Sequence, residues 1–353
     1  MKTYFLQVKN VKKETEDAVT IEFWHPLSEQ IKYKAGQFIT LMVPADGGKK
    51  VRRSYSMSTS PHTDTSVGVT VKRVKGGLVS NYLLDEVKKG DFIEVIEPMG
   101  RFVFEPDAEK ERHIVLIGAG SGVTPLMSIA KSALKMEPKS KVTMLYGNRN
   151  PESIIFWEEL LEMERVYMGR FNVTHILSQA PKDWARERGR IHQANAVLFL
   201  KEEHDVHFKD EIFYLCGPEG MMDEMEKVFK IYNLGPDQVH REHFNAPMLD
   251  EDLAADDTDE SLKEQTVKVF YEGEEHNFLV KPHQTILEAA LELDIDLPYS
   301  CQAGMCTACL GKCTSGKVKL DEEDGLTENE LKDGLVLTCV AHPASAGVVI
   351  EIE

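Results

Sequence analysis

The chain has 353 residues, 42% of them hydrophobic and 28% charged, a composition of soluble globular domains with length for two or three separate cores. Its opening, MKTYFLQVKNVKKETEDAVT, holds no continuous apolar run, which argues against a signal peptide or a membrane span and makes the cytoplasm the expected compartment. The formal net charge of −18 is concentrated at the C-terminal end, an acidity that repels phosphate backbones and anionic lipid and so argues against nucleic acid and membrane partners.

Residues 266–353 hold 6 Lys and no Arg against 16 Asp and Glu, a net of −10, and residues 248–265 hold 1 Lys against 8 acids, a net of −7. Only −1 is left for the first 247 residues. The acidic end reads either as a solvated face or as a docking face for a basic protein partner.

In chain order, the first hundred residues carry short β-rich runs, YFLQVKNV, AVTIEFW, QFITLMV, RRSYSMS, VGVTVKRV and DFIEVIE, separated by Gly, Pro and Asp. They predict an antiparallel β-barrel over residues 1–105, with a first helical stretch at 77–84. After Pro106 the pattern changes. HIVLIG, KVTMLYG, FNVTHILS and EIFYLCG read as buried strands, with helices expected at 125–136, 152–167 and 219–231. That alternation predicts an α/β domain with a parallel sheet and right-handed crossovers over 106–247. MLDEDLAADDTDESLKEQ, residues 248–265, reads as an acidic, self-repelling linker. From 266 onward a hairpin turning at 272–274 and a short amphipathic helix, TILEAALEL, precede a cysteine-rich loop.

Four of the six cysteines fall in CQAGMCTACLGKC, which begins at Cys301. A disulfide knot, a zinc site and an iron–sulfur cluster all remain open on clustering alone, although a reducing compartment disfavours disulfides. The spacing Cys301-x4-Cys306-x2-Cys309, with Cys339 in VLTCVAHP, is that of a plant-type 2Fe–2S site. Structural zinc prefers two separated Cys-x2-Cys pairs, and Cys339 has no such neighbour. Ala303, Gly304 and Ala308 keep the loop small enough for backbone N–H groups to reach the cluster. Cys313 reads as a small packed residue or a spare ligand. Residues 266–353 resemble a plant-type ferredoxin domain, an α+β fold of the β-grasp kind, which carries one electron at a time.

RRSYSMSTS, with Arg53, Tyr55 and Ser56, and KGGLVSNYL, with Gly76, Gly77, Val79 and Ser80, resemble the FAD-binding barrel of the ferredoxin–NADP reductase superfamily. The resemblance implies an Arg53 fork on the pyrophosphate, the Tyr55 ring against the flavin or its ribose, and the Ser56 hydroxyl at flavin N5. Backbone N–H groups of the glycine turn and helix start would meet phosphate. An ordinary strand tyrosine and a solvated arginine are the plain alternatives.

GAGSGVTPLMSI follows the strand HIVLI directly. Gly118, Gly120 and Gly122 suit a tight turn close to a dinucleotide pyrophosphate, Thr124 is the expected helix cap, and Pro125 suits a first helical turn. LCGPEGMM supplies the superfamily's Cys216-Gly217-Pro218 turn, with Cys216 expected beside the nicotinamide or else simply buried. In REHFNAP, the resemblance places Phe244 over the flavin ring and gives Glu242 a role in proton exchange, a surface acid being the alternative. Ser178-Gln179 stands where NADP-binding members often have Arg. Arg149, Arg186, Arg188 or Arg190 is expected to replace it, so NADPH is favoured over NADH as donor.

The expected route is NAD(P)H to FAD, to the 2Fe–2S cluster, to an external protein. In domain order and length the whole chain resembles reductase components of multicomponent oxygenases of the phenylacetyl-CoA epoxidase type, with 3-ketosteroid hydroxylase reductases as relatives. The resemblance implies an oxygenase as electron acceptor. A general-purpose NAD(P)H:acceptor reductase and a zinc-stabilised binding module are the competing readings.

Overall fold

Six strands from the first hundred residues pair antiparallel around a core of Leu6, Ile21, Phe23, Ile39, Leu41, Val69 and Val95. They are β1 (Thr3–Thr15), β2 (Ala18–Phe23), β3 (Phe38–Pro44), β4 (Lys50–Ser56), β5 (Val67–Lys72) and β6 (Phe92–Met99), in the sheet order β4-β3-β6-β1-β2-β5. A bridge between Met57 and Val69, with Ser58 N–H donating to Gly68 O at 2.9 Å, links the end of β4 to β5 and closes the barrel. Helix α1 (Leu78–Asp85) follows β5, one residue later than the pattern predicts, and Arg73 holds it through a fork onto Asp85. The computed structural model describes residues 2–26, 30–44, 50–203, 211–235, 237–244, 263–322 and 325–352, in two compact units that meet in sequence at Phe244 and Asn245.

The rest of the first unit is a five-stranded, all-parallel sheet in the order β11-β10-β7-β8-β9. Its strands are β7 (His113–Ala119), β8 (Lys141–Asn148), β9 (Phe171–Leu177), β10 (Glu211–Gly217) and β11 (Val239–His243). Helices α2 (Val123–Met136) and α3 (Trp157–Val166) cover one face, and α4 (Gln193–Glu203) and α5 (Glu219–Ile231) the other. Strand order reverses between β7 and β10, so the loops that leave these two strands diverge and open a crevice at their carboxyl ends.

Helix α3 is shorter than expected. Asn150 and Ser153 form a capping box that makes 151–153 a separate 3-10 turn, and Phe156 then takes a left-handed φ of 63° that breaks the path into the helix. Helix α4 and strand β11 have no counterpart in the sequence prediction.

Barrel and parallel sheet are joined through α2. Ser128 Oγ donates to Thr59 O at 2.6 Å, and Ser132 Oγ lies 2.8 Å from Ser60 Oγ. At the far end of α2, Glu137 is fully buried, with Arg112 Nη2 and Nε at 2.5 and 3.1 Å from its carboxylate and Ser140 Oγ at 2.7 Å.

The second unit has a five-stranded sheet in the order β13-β12-β18-β14-β16 and a separate pair, β15-β17. These are β12 (Gln265–Tyr271), β13 (Glu274–Val280), β14 (Leu310–Ser315), β15 (Val318–Leu320), β16 (Leu335–Leu337), β17 (Ala341–Pro343) and β18 (Val348–Glu351). Helices α6 (Ile286–Glu292) and α7 (Glu328–Lys332) each start at a threonine capping box, Thr285 with Glu288 and Thr327 with Glu330. The hairpin turns at Glu272-Gly273, as the sequence predicts. Residues 248–262 of the acidic stretch lie outside the described residues, and Gln265 already belongs to β12.

Glu137→Ala is expected to lower the unfolding free energy by about 3 to 5 kcal/mol, because Arg112 stays buried without its carboxylate. Urea unfolding checks this; a loss below about 1 kcal/mol would mean that another group takes over the guanidinium.

Candidate functional site

Arg53, Tyr55 and Ser56 lie along β4, with Ser56 buried at its end opposite Phe38. Burial pushes the Tyr55 phenol up to about 12, and the nearby Arg53 cation pulls the other way. Arg53 Nη1 also donates to the Arg52 carbonyl at 2.7 Å. The glycine turn is tightly tied. Gly77 N–H donates to Val74 O at 3.0 Å, Ser80 Oγ accepts from Val74 N–H at 3.1 Å, and Asn81 Nδ2 donates to Gly77 O. Gly77 caps α1, so the N–H groups left without helical acceptors belong to Leu78, Val79 and Ser80 rather than to Gly77. Gly76, at φ +74° and with open space where a Cβ would stand, gives the turn its shape.

The dinucleotide motif sits at the reversal point of the sheet. Two of its glycines allow close packing, one of the turn on β10 and one of β7 on α2. A Cβ on Gly122 would lie 2.0 Å from Cys216 O, and one on Gly118 would lie 2.6 Å from the Leu126 side chain. Gly120, at φ +57°, shapes the turn, and its carbonyl accepts from Tyr146 OH at 3.0 Å. Thr124 is not the helix cap. The chain turns through 3-10 geometry at Gly120–Gly122, the helix begins at Val123, and Thr124 Oγ1 points back to donate to Ser121 O at 3.0 Å. Pro125 fits in this first helical turn, where its missing N–H costs nothing.

Across the crevice, Cys216 and Gly217 end β10, and Pro218 caps α5. Cys216 is fully buried in register with Glu242 of β11, itself 3% exposed. Burial, and secondarily the Glu242 charge, pushes the Cys216 thiol up, so it stays protonated. The Cys216 thiol is therefore neutral and not a nucleophile. Phe244, just past β11, is exposed.

Sequence reasoning missed Lys72. It ends β5 with its Nζ 3.2 Å from where a Cβ on Gly120 would lie, so its ammonium overhangs the glycine loop. Burial and then the neighbouring Arg149 lower its pKa, while Asp17 works against both. Arg149 lies 3.4 Å from Asp17, so two cations share one carboxylate beside the loop. The only sequence signal was a lysine at the end of an otherwise apolar strand. Arg149 also lies beside the Ser178-Gln179 turn, because Gln179 N–H donates to Arg149 O at 2.7 Å. Arg188 is drawn elsewhere, its guanidinium donating to the carbonyls of Ala180, Pro181, Lys182 and Trp184.

In the second unit the four thiols converge. Cys309 Sγ and Cys339 Sγ are 3.3 Å apart, and Cys301 is hydrogen-bonded by both Cys306 and Cys339. Those bonds, with backbone N–H groups of Ala303 and Met305, pull the Cys301 thiol down and push Cys306 and Cys339 up. Four sulfurs this close cannot all ionise unless positive charge sits between them. Among the described residues, no group of three or more His, Cys, Asp or Glu is arranged around a single ion. Cys301, Cys306, Cys309 and Cys339 lie within reach of one another, as the four ligands of a 2Fe–2S cluster must. Gln302 and Gly304, both at positive φ, curl the loop inward. Cys313 stands apart in β14, its Sγ 3.3 Å from Ser315 O.

Comparison with known proteins finds an oxidoreductase FAD-binding domain over residues 6–104, an oxidoreductase NAD-binding domain over 116–227 and a 2Fe-2S iron-sulfur cluster binding domain over 269–344. The chain is 34% identical to a component of the 1,2-phenylacetyl-CoA epoxidase of Escherichia coli K12, covering 99% of this chain and 97% of that one. It is also 34% identical to the ferredoxin reductase component of 3-ketosteroid-9-alpha-monooxygenase of Rhodococcus rhodochrous, over 99% and 97%. Phthalate dioxygenase reductase shares the fold, with a TM-score of 0.65 at 23% identity over 99% of this chain and 98% of the other. Among the described residues no helix is long and apolar enough to cross a membrane.

Gly122→Ala is expected to weaken nicotinamide-nucleotide binding by roughly 10- to 100-fold, because the added methyl must displace the β10 backbone by about 1 Å. A fluorescence titration with the nucleotide measures it, and an unchanged constant would mean that the crevice widens freely.

Proposed function

Because the chain belongs to the family of reductase components of oxygenase systems, which unite FAD-binding, NAD-binding and 2Fe–2S domains, we propose that its own acceptor is an oxygenase of the phenylacetyl-CoA epoxidase type. The protein is an NAD(P)H oxidoreductase that passes electrons through FAD and a 2Fe–2S cluster to an oxygenase partner. Bound flavin takes two electrons as hydride and releases them singly, as a one-electron cluster requires. The observation that supports an oxygenase of this type as acceptor is the 34% identity running end to end with the epoxidase component. The equal identity to the steroid monooxygenase reductase makes that system the second reading.

We assign the residues as follows. The barrel, residues 1–105, holds FAD, with the Arg53 guanidinium and the N–H groups of Val79 and Ser80 on phosphate, and Gly76 and Gly77 shaping that turn. Tyr55 lies along the flavin, Ser56 bonds its reactive edge, and Phe244 covers its ring. Residues 106–247 hold the nicotinamide nucleotide. Gly118, Gly120, Gly122 and Thr124 form the floor under its pyrophosphate, and Gly217-Pro218 form the opposite wall. Lys72 supplies the positive charge above that floor. The neutral Cys216 thiol orients the nicotinamide without competing for its chemistry, and Glu242 beside it holds the proton exchanged with solvent. Cys301, Cys306, Cys309 and Cys339 ligate the cluster. The cytoplasm, where these thiols stay reduced, is the compartment that suits this set.

The donor in this reading is NADPH. Arg149, next to the Ser178-Gln179 turn and in an exposed ion pair with Asp17, is the cation assigned to a 2′-phosphate. Arg149→Ala is expected to cut kcat/KM for NADPH about tenfold, the value of one charge-assisted hydrogen bond, and to change NADH turnover less than about twofold. Equal losses with both nucleotides would remove Arg149 from the phosphate site.

Two further experiments test the whole. Cys306→Ser is expected to abolish transfer to the protein acceptor while NAD(P)H oxidation with a flavin-accepting dye persists; loss of both would break the series arrangement. Reconstitution with the oxygenase components of phenylacetyl-CoA epoxidase and, separately, of 3-ketosteroid-9-alpha-monooxygenase decides the acceptor. Product formed only with the second set would replace the first reading.

A further inference from the structure

His342 has no part in the roles above, yet both of its ring nitrogens are engaged. It lies in β17, its side chain 6% exposed, with Nδ1 3.0 Å from Gln284 O and Nε2 2.7 Å from Asp321 Oδ2. A backbone carbonyl and an ionised carboxylate can only accept. A neutral imidazole donates from one nitrogen alone, so only the imidazolium satisfies both contacts.

Among the described residues, four charged or titratable groups surround the ring. Asp321 bonds it directly, Glu288 faces it from the first turn of α6, Lys319 is its cross-strand partner in β15, and His283 precedes Gln284 in the turn before α6. The carboxylates prevail over burial and raise the His342 pKa above its ordinary value.

The clamp also reaches the cysteine loop. Asp321 N–H donates to Val340 O, the neighbour of Cys339, at 3.0 Å. Glu322 lies 2.9 Å from where a Cβ on Gly304 would stand, and a Cβ on Gly325 would meet Gly304 O at 1.9 Å. Asp321, Glu322 and Gly325 therefore form a wall pressed on the loop that carries Cys301, Cys306 and Cys309.

We propose that His342 is the proton-bearing positioning residue of the iron–sulfur site, its imidazolium holding the Asp321 wall against the cysteine loop and coupling uptake of one electron by the cluster to uptake of one proton by the ring. The electron comes from the nicotinamide nucleotide through the flavin; between the ring's pKa in the oxidised protein and its higher pKa in the reduced one, the proton comes from solvent to the bare ring nitrogen, so net charge at the site is unchanged. The inference rests on the 2Fe–2S assignment. Because the folded-state pKa is raised, both ring contacts are complete at low pH and one is lost as pH rises through that value. The added negative charge of reduction raises it further.

A redox titration of the holoprotein, followed by the cluster's electron paramagnetic resonance signal from about pH 6 to about pH 9.5, tests this. The cluster potential is expected to fall with rising pH, by up to about 59 mV for each tenfold drop in proton concentration in a one-electron couple, and to level once the ring is neutral in both redox states. His342→Gln should abolish the slope. Asp321→Asn, at a side chain 57% exposed and so tolerant of change, should move the slope to lower pH. A wild-type potential that is flat across the range, a slope that survives in His342→Gln, or one unmoved in Asp321→Asn would each overturn the proposal. Absence of any cluster signal in the wild type would instead overturn the 2Fe–2S assignment beneath it.

Discussion

The hydrogen bond from Ser128 to the Thr59 carbonyl, 2.6 Å long and fully buried, fixes the geometry on which the flavin and nucleotide halves depend. It and the Ser132–Ser60 contact sit midway along α2. Serine is small enough to let helix and barrel approach, and its hydroxyl satisfies a buried carbonyl that would otherwise be costly to dehydrate. Helix α2 begins at the glycine loop and ends at the buried Glu137–Arg112 pair. Pinning its middle to the barrel therefore sets where the loop lies relative to Lys72 at the end of β5. The anchor matters because the glycine loop follows one sheet and Lys72 ends the other, so neither sheet alone sets their spacing.

The second unit meets a different constraint. Its core is small, and the site it builds gathers sulfurs that repel one another once ionised. The loop answers with backbone: N–H groups of Ala303 and Met305 face the Cys301 sulfur, and positive φ at Gln302 and Gly304 turns the chain inward. Close packing of Gly325 on the Gly304 carbonyl keeps that curl from opening. The cradle is therefore held from outside as well as by its ligands.

Much of this was legible in the sequence where the determinant is local. Strands β1 to β10 and the β12–β13 hairpin announce themselves through apolar alternation and turn residues, and the cysteine spacing follows from the reach of a single loop. Where tertiary contact decides, the sequence was silent or misleading. Helix α4 carries the run NAVLFL, whose periodicity does not separate helix from strand, and β14 to β18 are three to six residues long among glycines. Thr124 looked like a cap because Thr is a favoured N-cap and the Pro after it suits a first helical position; the preceding 3-10 turn moved the start to Val123. Lys72 and His342 gain meaning only from partners 48 and 21 positions away, Gly120 and Asp321, which no local pattern links to them.

The charge distribution gives His342 its significance. Residues 266–353 carry a net −10 and no arginine, so an electron entering this unit adds to an already negative field. Backbone dipoles offset part of that charge at the sulfurs, but they are fixed and cannot respond to it. A lysine on the surface is screened by water and couples weakly. A ring buried between a carboxylate and a carbonyl is neither fixed in charge nor screened, and it is tied by Asp321 to the backbone next to Cys339. A histidine so placed can change its charge in step with the cluster, so the acidity that favours a basic partner need not make reduction harder.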